Sequence, residues 1–381
     1  MRPRGSYALL LAVSLVAGQH TLAFDFFCPT DTDDDGVSDD PNTKCMHVAG
    51  SDGLIQFPDG KELYVFGFSD VTGPPSQAQN IDGLLRANQP APTIEVKEGQ
   101  KLHLSLSIAG FLLRPDIPDP HTVHYHGFPN ASAVFDGVPD MSIAPVDGAT
   151  LHYYYENVHP GTYIWHCHVE ATEHLEMGMI GQLYVTPAQD GTLLGGFTKF
   201  AYNDGDGSTG YDVAKAIQLT DFDVAFHDAS ISVQPLPFAN LDHTYFLMNG
   251  RGYPDTVDPN PLTNSEGHPS QPLDALIEVD PGDRILIRFS NLSVTLFHTI
   301  ESLGLPMRVV GEDARILRGP TGQDLSYLTN SITIGGGQTV DVLLDTTGVA
   351  SGTYYLFSRN LFTLNNNEER RGGMMTEIRV N

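Results

Sequence analysis

A diverged internal repeat constrains the fold of this chain more than any other feature of the sequence. Four landmarks recur in the same order in both halves: Ile94-Glu95-Val96 with Ile277-Glu278-Val279, His121-Thr122-Val123 with His298-Thr299-Ile300, Gly161-Thr162-Tyr163 with Gly352-Thr353-Tyr354, and Gly178-Met179 with Gly373-Met374. Strand-like runs alternate with turns rich in Gly, Pro and Asp, which is typical of antiparallel sandwiches. The repeat therefore predicts an all-β chain with two similar β-sandwich domains.

Length and composition agree with two such units. The chain has 381 residues, of which 38 are Gly and 26 are Pro, while only 18% are charged. These values favour short strands and many turns over long charged helices. A run rich in Gly and Asp at residues 190–214 is the predicted linker. We therefore expect domain 1 at residues 50–189 and domain 2 at residues 215–381.

The net charge indicates which classes of molecule the chain can bind. Acidic residues outnumber Lys and Arg by 47 to 20, which gives a formal net charge of −27. Such a surface repels phosphate backbones and anionic membranes, so we expect no nucleic-acid partner. The same charge favours metal cations and basic protein partners.

Residues 1–23 have the pattern of a secretory signal peptide. Arg2 and Arg4 precede a short apolar run, and Ala23 closes a small-residue cleavage site. A buried N-terminal strand is the alternative. We expect an exported protein, periplasmic or extracellular. No later segment holds about 18 uncharged apolar residues in a row, so we expect no membrane span.

Residues 24–49 contain an acidic loop flanked by Cys28 and Cys45. Its carboxylates are Asp31, Asp33, Asp35 and Asp39, with Gly36 between the last two. Alternating oxygen ligands and a glycine at a sharp turn are what a calcium loop requires, and the loop resembles thrombospondin-type and EF-hand-type motifs. A solvated acidic linker without an ion is the alternative. An oxidising compartment would allow a disulfide between the two cysteines.

Histidines are concentrated in one part of the predicted domain 1. Eight of the 15 lie between residues 121 and 174: His121, His124, His126, His152, His159, His166, His168 and His174. We expect His152 and His159 to be surface residues. The other six surround Cys167 in a pattern that strand geometry can interpret.

Side chains point alternately to opposite faces of a strand. In the run 166–168 the two histidines therefore share one face, and Cys167 takes the other. The same rule places His124 and His126 together, with His121 on the opposite side. The sequence thus predicts two sites back to back.

The site around Cys167 has the ligand types of a blue-copper centre. A thiolate, two imidazoles and a weak axial thioether form that ligand set, and here Cys167, His121, His174 and Met179 supply it. Zinc is the chemical alternative, but zinc sites rarely use a thioether.

These motifs resemble those of the multicopper oxidases and copper nitrite reductases, in particular their two-domain forms. The resemblance rests on the runs 121–127 and 163–179 and covers residues 50–381. It implies two cupredoxin-like Greek-key domains. Nitrite reductases carry Asp in place of His124 and have no counterpart of His168, so the oxidases are the better match.

The resemblance also implies roles for individual residues. Type 1 copper would be bound by His121, Cys167, His174 and Met179, type 2 copper by His124, and type 3 copper by His126, His166 and His168. Electrons would pass through Cys167 into His166 and His168, which makes these three residues the catalytic candidates. A reducing small molecule or a redox protein would donate the electrons, and we expect the exposed edge of His174 to receive them.

The second copy departs from this pattern. Phe357, Ser358 and Arg359 replace 166–168, Glu301 replaces His124 and Leu303 replaces His126, while His298 matches His121. Two-domain relatives complete the second copper site from a neighbouring subunit, so the resemblance implies a homo-oligomer, such as a trimer. That assembly would lack most partner histidines.

Because most partner histidines are missing, several alternatives are open for the second copper site and for the function. Glu301 could serve as an unusual ligand, or His227, His243 or His268 could reach the site, whereas we expect His298 to be structural. The sequence therefore leaves an oxygen-reducing oxidoreductase as the main hypothesis. A non-catalytic type 1 electron carrier and a copper-binding protein are the alternatives.

Overall fold

A computed structural model of the chain describes residues 24–129, 131–157 and 159–381. The predicted signal peptide, residues 1–23, lies outside this part. Within it, strands dominate and helices are short. No helix among these residues is long and apolar enough to cross a membrane.

The first domain is a sandwich of two four-stranded sheets. Its strands are β1 Thr43–Gln56, β2 Glu62–Asp70, β3 Ala91–Lys97, β4 Lys101–Gly110, β5 His124–His126, β6 Thr150–Glu156, β7 Gly161–His166 and β8 Ile180–Thr186. One sheet has the order β2-β1-β4-β6 and the other β3-β8-β7-β5. The pairs β1/β4 and β3/β8 are parallel, and the remaining pairs are antiparallel.

The second domain repeats this plan with extra strands. Its strands are β9 Val213–Phe222, β10 Tyr245–Met248, β11 Leu262–Thr263, β12 Pro269–Gln271, β13 Ile277–Val279, β14 Arg284–Asn291, β15 His298–Leu303, β16 Met307–Glu312, β17 Arg315–Ile316, β18 Tyr327–Thr329, β19 Ser331–Ile334, β20 Thr339–Asp345, β21 Gly352–Ser358 and β22 Met375–Val380. The main sheets are β10-β9-β14-β20-β16-β17, with β18 on β16, and β13-β22-β21-β15-β19, while β11 and β12 form a separate hairpin.

Helices are few. The α-helices are α1 Ala171–Glu176 and α2 Val224–Ile231, and short 3₁₀ helices lie at Pro75–Asn80, Ala133–Phe135, Phe238–Asn240 and Asp255–Val257. Helix α1 lies in the connection between β7 and β8. Helix α2 is capped by Asp223, whose carboxylate accepts hydrogen bonds from the backbone amides of Ala225 and Phe226.

The strand register preserves the repeat. In domain 1, His124 of β5 pairs with His166 of β7, and in domain 2, Glu301 of β15 pairs with Phe357 of β21. The parallel pairs also correspond, because β1/β4 matches β9/β14 and β3/β8 matches β13/β22. The alignment of the two halves made from the sequence therefore agrees with the fold.

Buried side chains that alternate with others along the strands form the two hydrophobic cores. In β4, every second residue from Leu102 to Ile108 is a buried aliphatic side chain that faces the opposite sheet. The first core also contains Trp165 and Cys167, and the second has a separate cluster centred on residues such as Ile287 and Leu356. The all-β prediction with two sandwiches is confirmed.

The domain boundaries differ from the predicted ones. β1 begins at Thr43, before the predicted boundary at residue 50, because its pairing with β4 extends back to that residue. β9 begins at Val213, slightly before the predicted start of domain 2. The predicted linker, 190–214, packs onto the protein, since Phe200 and Tyr202 in it are fully buried.

The two domains share an apolar interface. Ile55, Phe57 and Val65 from the first domain form a buried cluster with Phe222 and Leu247 from the second. A sheet face of domain 1 is thus covered by β9 and β10. Burial of this apolar surface stabilises the arrangement of the domains.

A cluster of buried, hydrogen-bonded polar side chains also joins the two domains. Asp341 accepts hydrogen bonds from the hydroxyls of Thr162 and Tyr202, at 2.5 Å and 2.6 Å. Arg288 donates to the Thr162 hydroxyl at 3.0 Å and lies 3.6 Å from Asp341. Arg288 and Asp341 are both buried, so the pair requires its partners to avoid an isolated charge.

Arg288→Leu is expected to destabilise the protein, because it leaves Asp341 buried without its cationic partner. The expected loss in the free energy of unfolding is about 3–5 kcal/mol. Thermal or denaturant unfolding of the purified chain measures it. The matched control is Arg379→Leu, which breaks a partly exposed pair with Glu377 and should cost no more than about 1 kcal/mol. Equal losses for both variants would contradict this account.

Candidate metal centre

Three predicted ligands meet in a fully buried site, which we call the thiol site. The metal-binding atoms of His121, Cys167 and His174 all lie within 4.8 Å of one another. The Cys167 Sγ is 3.1 Å from His174 Nδ1 and 4.0 Å from His121 Nδ1. None of the three side chains is exposed to solvent.

The backbone around the thiol site holds these side chains in place. The Thr122 amide donates to Cys167 Sγ at 3.4 Å, and the Cys167 amide donates to the Met179 carbonyl. Met179 is buried in the same hydrophobic cluster as Cys167. The fourth predicted ligand therefore lies on the segment that follows helix α1, with its backbone next to that of Cys167.

Charge pairing inside the site changes the acidity of its groups. Burial alone would raise the pKa of the Cys167 thiol, but His174 and His121 outweigh that effect and lower it to about 5. Burial opposes protonation of His174, yet Cys167 and Asp119 raise its pKa above the ordinary range. A thiolate is the metal-binding form of cysteine, so the site favours that form.

The remaining histidines form a second group on the other side of β7, which we call the histidine site. The metal-binding atoms of His124, His126 and His166 lie within 4.8 Å of one another. His126 Nδ1 is 3.4 Å from His166 Nε2. His168 lies beside this group, with its ring centroid 4.9 Å from that of His124.

Hydrogen bonds orient the rings of the histidine site. The Nδ1 of His124 lies 2.6 Å from the Asp136 carbonyl, and the Nδ1 of His166 lies 2.7 Å from the Cys167 carbonyl. In both rings this leaves Nε2 to face the group. Burial lowers the pKa of His124, His126 and His166, which favours neutral rings with lone pairs available for a metal.

The two sites lie back to back, as the alternation rule predicts. β7 ends at His166, so Cys167 and His168 follow the strand instead of lying within it. Their side chains nevertheless diverge, because Cys167 contacts His121 and His174 while His168 contacts His124. Cys167 is joined to each flanking histidine by a single peptide bond.

The histidine site opens into a cavity of about 480 Å³ between the domains. His126, His166 and His168 line one side, and Ser293, Thr295 and Phe297 of the second domain line the other. Among the described residues of domain 2 that line this cavity, none is a His, Cys, Asp or Glu.

The other proposed ligands of domain 2 have partners elsewhere within the described chain. His227 Nδ1 contacts the Tyr64 carbonyl, and Glu301 lies 3.6 Å from Arg359. His268 lies in the turn between β11 and β12. These three residues do not join the histidine site in this chain. His243 and His298 are buried in a separate polar network.

The expectation that His174 has an exposed edge is wrong. Its side chain is 0% exposed, and its Nε2 lies 2.8 Å from Asp119 Oδ2. Asp119 is itself only slightly exposed, so it lies between the ring and solvent. The expectation failed because Asp119 belongs to the loop before β5, which strand alternation does not describe. Of the other two histidines, His159 is exposed and His152 is partly exposed.

The acidic loop gathers three of its four predicted ligands. Carboxylate oxygens of Asp31, Asp33 and Asp35 lie within 4.8 Å of one another. Asp39 lies outside this group and accepts hydrogen bonds from the amide and hydroxyl of Thr32. The Asp35 carboxylate raises the pKa of Asp33, as expected for like charges held together.

Cys28 and Cys45 form a disulfide, with an S–S distance of 2.01 Å. The bond joins the segment before the acidic loop to strand β1. Cys167 is therefore the single free thiol of a chain with three cysteines.

Comparison with known sequences identifies the family. Residues 84–190 and 226–380 each match a family described as multicopper oxidase. Together these matches cover most of the chain and fall in both domains. The chain belongs to the multicopper oxidase family.

Relatives with curated names are distant and longer. The chain is 25% identical to Laccase-8 of Oryza sativa subsp. japonica over 279 residues, which are 71% of this chain and 42% of that protein. It is 24% identical to copper resistance protein A of Escherichia coli over 322 residues, covering 77% and 46%. The chain thus spans less than half the length of these relatives.

Solved structures support the cupredoxin-like fold. A blue copper oxidase from Nitrosomonas europaea superposes with a TM-score of 0.65 at 20% identity, covering 88% of this chain and 85% of that one. A copper nitrite reductase from the same organism gives 0.59 at 15% identity, covering 88% and 93%. At these identities the likeness establishes the fold alone.

The metal-free protein is expected to hold Cys167 as a thiolate at neutral pH. An ordinary thiol titrates near a pKa of about 8.5, whereas the His174 and His121 rings lower the pKa of this one to about 5. The ultraviolet absorbance of the thiolate should therefore persist at pH 7 and decline as the pH falls toward 5. Cys167→Ser should lack that titration. A midpoint near pH 8 in the parent protein would contradict the geometry of the thiol site.

Proposed function

We propose that this chain is an exported copper-dependent oxidoreductase. The thiol site would hold type 1 copper, and His124, His126, His166 and His168 would hold further copper. Copper bound there would supply one-electron redox chemistry, with a reducing substrate as the electron donor and Cys167 as the link between the two sites. Dioxygen would be the acceptor, and four electrons with four protons would convert it to two molecules of water. The back-to-back placement of the two sites around Cys167 carries this proposal.

The thiol site fits type 1 copper by its donor set and spacing. Ligand atoms that each lie about 2 Å from one metal are about 3–4 Å apart, and the Cys167 contacts of 3.1 Å and 4.0 Å fall in that range. Asp119 orients the His174 ring through its second nitrogen, a common arrangement for metal-binding histidines. Met179 would supply a thioether ligand. When bound, the copper cycles between two oxidation states and so transfers single electrons.

The histidine site fits further copper only in part. His124 would contact type 2 copper, and His126, His166 and His168 would contact type 3 copper. Carbonyl groups fix the rings of His124 and His166 with Nε2 directed inward. The facing wall of domain 2 adds no ligand, so a complete cluster requires groups from another subunit. A homo-oligomer, such as a trimer, is the assembly that we propose, but its second domains would bring few histidines, so the cluster would stay incomplete in an assembly of this chain alone.

A non-catalytic electron carrier is the second candidate function. The wall of Ser293, Thr295 and Phe297 opposite the histidine site favours it, because none of these groups is a typical copper ligand. In this case only the thiol site holds copper, and no oxygen is reduced.

The electron donor would approach the thiol site through its Asp119 side. His174 is buried there behind a carboxylate. Leu112 and Leu113, on the loop that precedes Asp119, are exposed apolar side chains. A small reducing molecule or a redox protein could meet this surface.

Copper content, visible absorption and oxygen uptake of the purified oligomer test the proposal together. The oxidoreductase should bind several coppers per chain, absorb strongly in the visible range and consume oxygen with a reducing donor. Cys167→Ser should lose the visible absorption and the oxygen uptake. His168→Ala should keep the absorption and lose the uptake.

The double substitution of Cys28 and Cys45 by serine is the matched control, because it removes the other two cysteine sulfur atoms and should leave the absorption unchanged. A single copper with strong absorption and no oxygen uptake would support the carrier instead. A colourless protein after copper loading would exclude both functions.

We also propose that the acidic loop binds calcium in a structural role. Asp31, Asp33 and Asp35 bring three carboxylates together, and oxygen ligands suit calcium. Calcium should raise the thermal unfolding temperature, since a ligand that binds only the folded state stabilises it. Asp33→Asn should reduce the effect, whereas Asp140→Asn, at an exposed position, should not. No calcium-dependent shift in the parent protein would rule the site out.

A further inference from the structure

A buried polar network joins helix α1 to the second domain, and its members belong to neither copper site. It consists of two carboxylates and two imidazoles from distant parts of the sequence, Glu176, Asp221, His243 and His298. All four are less than a tenth exposed. Burying so many ionisable groups is costly unless they pair, and here every member has a partner.

Glu176 is the member that the first domain contributes. It ends helix α1, two residues after His174, and its side chain is 0% exposed. One carboxylate oxygen accepts from the Asp223 amide at 2.7 Å, and the other lies 2.9 Å from His243 Nε2. Both oxygens of Glu176 are therefore held by the second domain.

The second domain supports His243 in turn. His243 Nε2 lies 3.4 Å from one oxygen of Asp221, whose other oxygen lies 2.8 Å from His298 Nε2. Burial would lower the pKa of His243, but the hydrogen bond to Glu176 and the charge of Asp221 raise it above its ordinary value. The raised pKa favours the protonated ring, whose charge offsets the buried carboxylates.

The internal repeat shows that one member of this network occupies the position of a predicted copper ligand. His298 aligns with His121, a predicted copper ligand, yet its Nε2 faces Asp221 and the hydroxyl of Ser293. Ser358 stands where the first domain has Cys167, and its hydroxyl pairs with that of Thr363. The retained histidine of domain 2 therefore takes part in domain packing.

The segment after Glu176 is tightly confined as well. Gly178 has a positive φ of 109°, and a Cβ there would lie 2.0 Å from Gln89 Nε2. Gln89 also donates a hydrogen bond to the Gly178 carbonyl. With Glu176 and Gly178 both anchored, the backbone between His174 and Met179 has little freedom to move.

We propose that Glu176, His243, Asp221 and His298 form an interdomain clamp that positions the loop of residues 171–179. Through it, the second domain sets the placement of His174 and Met179 at the thiol site. These are positioning residues, since none of them touches the metal-binding atoms. The inference rests on the proposed type 1 site at these residues.

The first experiment needs no copper. Cys167 is the single free thiol, so its rate of modification by a thiol reagent in the metal-free native protein reports how often the loop opens. His243→Leu together with Glu176→Gln removes the clamp without leaving an unpaired buried charge. We expect modification to accelerate by about tenfold or more, in line with loss of a charged hydrogen bond.

Two control variants separate positioning from general destabilisation. His243→Gln keeps a donor toward Glu176 but loses the charge of the ring, so it should react at a rate between those of the parent and the double variant. His47→Leu removes another buried histidine, which pairs with Ser107 on the β1/β4 sheet, and should leave the rate unchanged. Unfolding temperatures of all variants show whether a faster rate reflects global unfolding.

The second experiment uses the copper-loaded protein. The visible absorption and the midpoint potential of type 1 copper should shift in the double variant and shift less in His243→Gln. A parent protein that takes up no copper would overturn the proposed function, while the thiol rates would still test the clamp. A blue parent protein whose double variant keeps the same thiol rate, spectrum and potential would overturn the clamp.

Discussion

The structure depends on the alternating directions of three consecutive side chains at the end of β7. His166 and His168 turn toward one side of the sandwich, and Cys167 turns toward its buried core. A single short segment therefore serves two sites that share no side chain. Their separation is set by backbone geometry, which side-chain substitutions elsewhere leave unchanged. The surrounding sheets keep this segment rigid, because β7 pairs with β5 on one side and β8 on the other.

The second domain shows how one fold carries different chemistry when its side chains change. Glu301 and Phe357 occupy the same register as His124 and His166, so the backbone pattern survives without the ligands. Domain 2 retains its contact with domain 1 through an apolar cluster, the Arg288–Asp341 ion pair and the interdomain clamp. The predicted copper ligands thus lie in one copy, whereas both copies contribute to the packing between the domains.

The sequence alone predicted the thiol site, because Cys167, His174 and Met179 lie close together in one segment with distinctive side-chain types. It also predicted the two-domain fold, because the landmarks repeat in order. It missed the burial of His174, since the Asp119 that shields it comes from a different loop. The sequence did not predict the interdomain clamp, because Glu176 and His243 are 67 positions apart and belong to no repeating sequence pattern. Such contacts are determined by how the domains pack, which local patterns do not encode.

The shared apolar cluster makes the two halves inseparable as folding units. A fragment ending before the linker would leave Ile55, Phe57 and Val65 facing water on the outside of its sheet. Exposed patches of this kind promote aggregation. The domain that carries the predicted copper ligands thus depends on its degenerate copy to cover this apolar face.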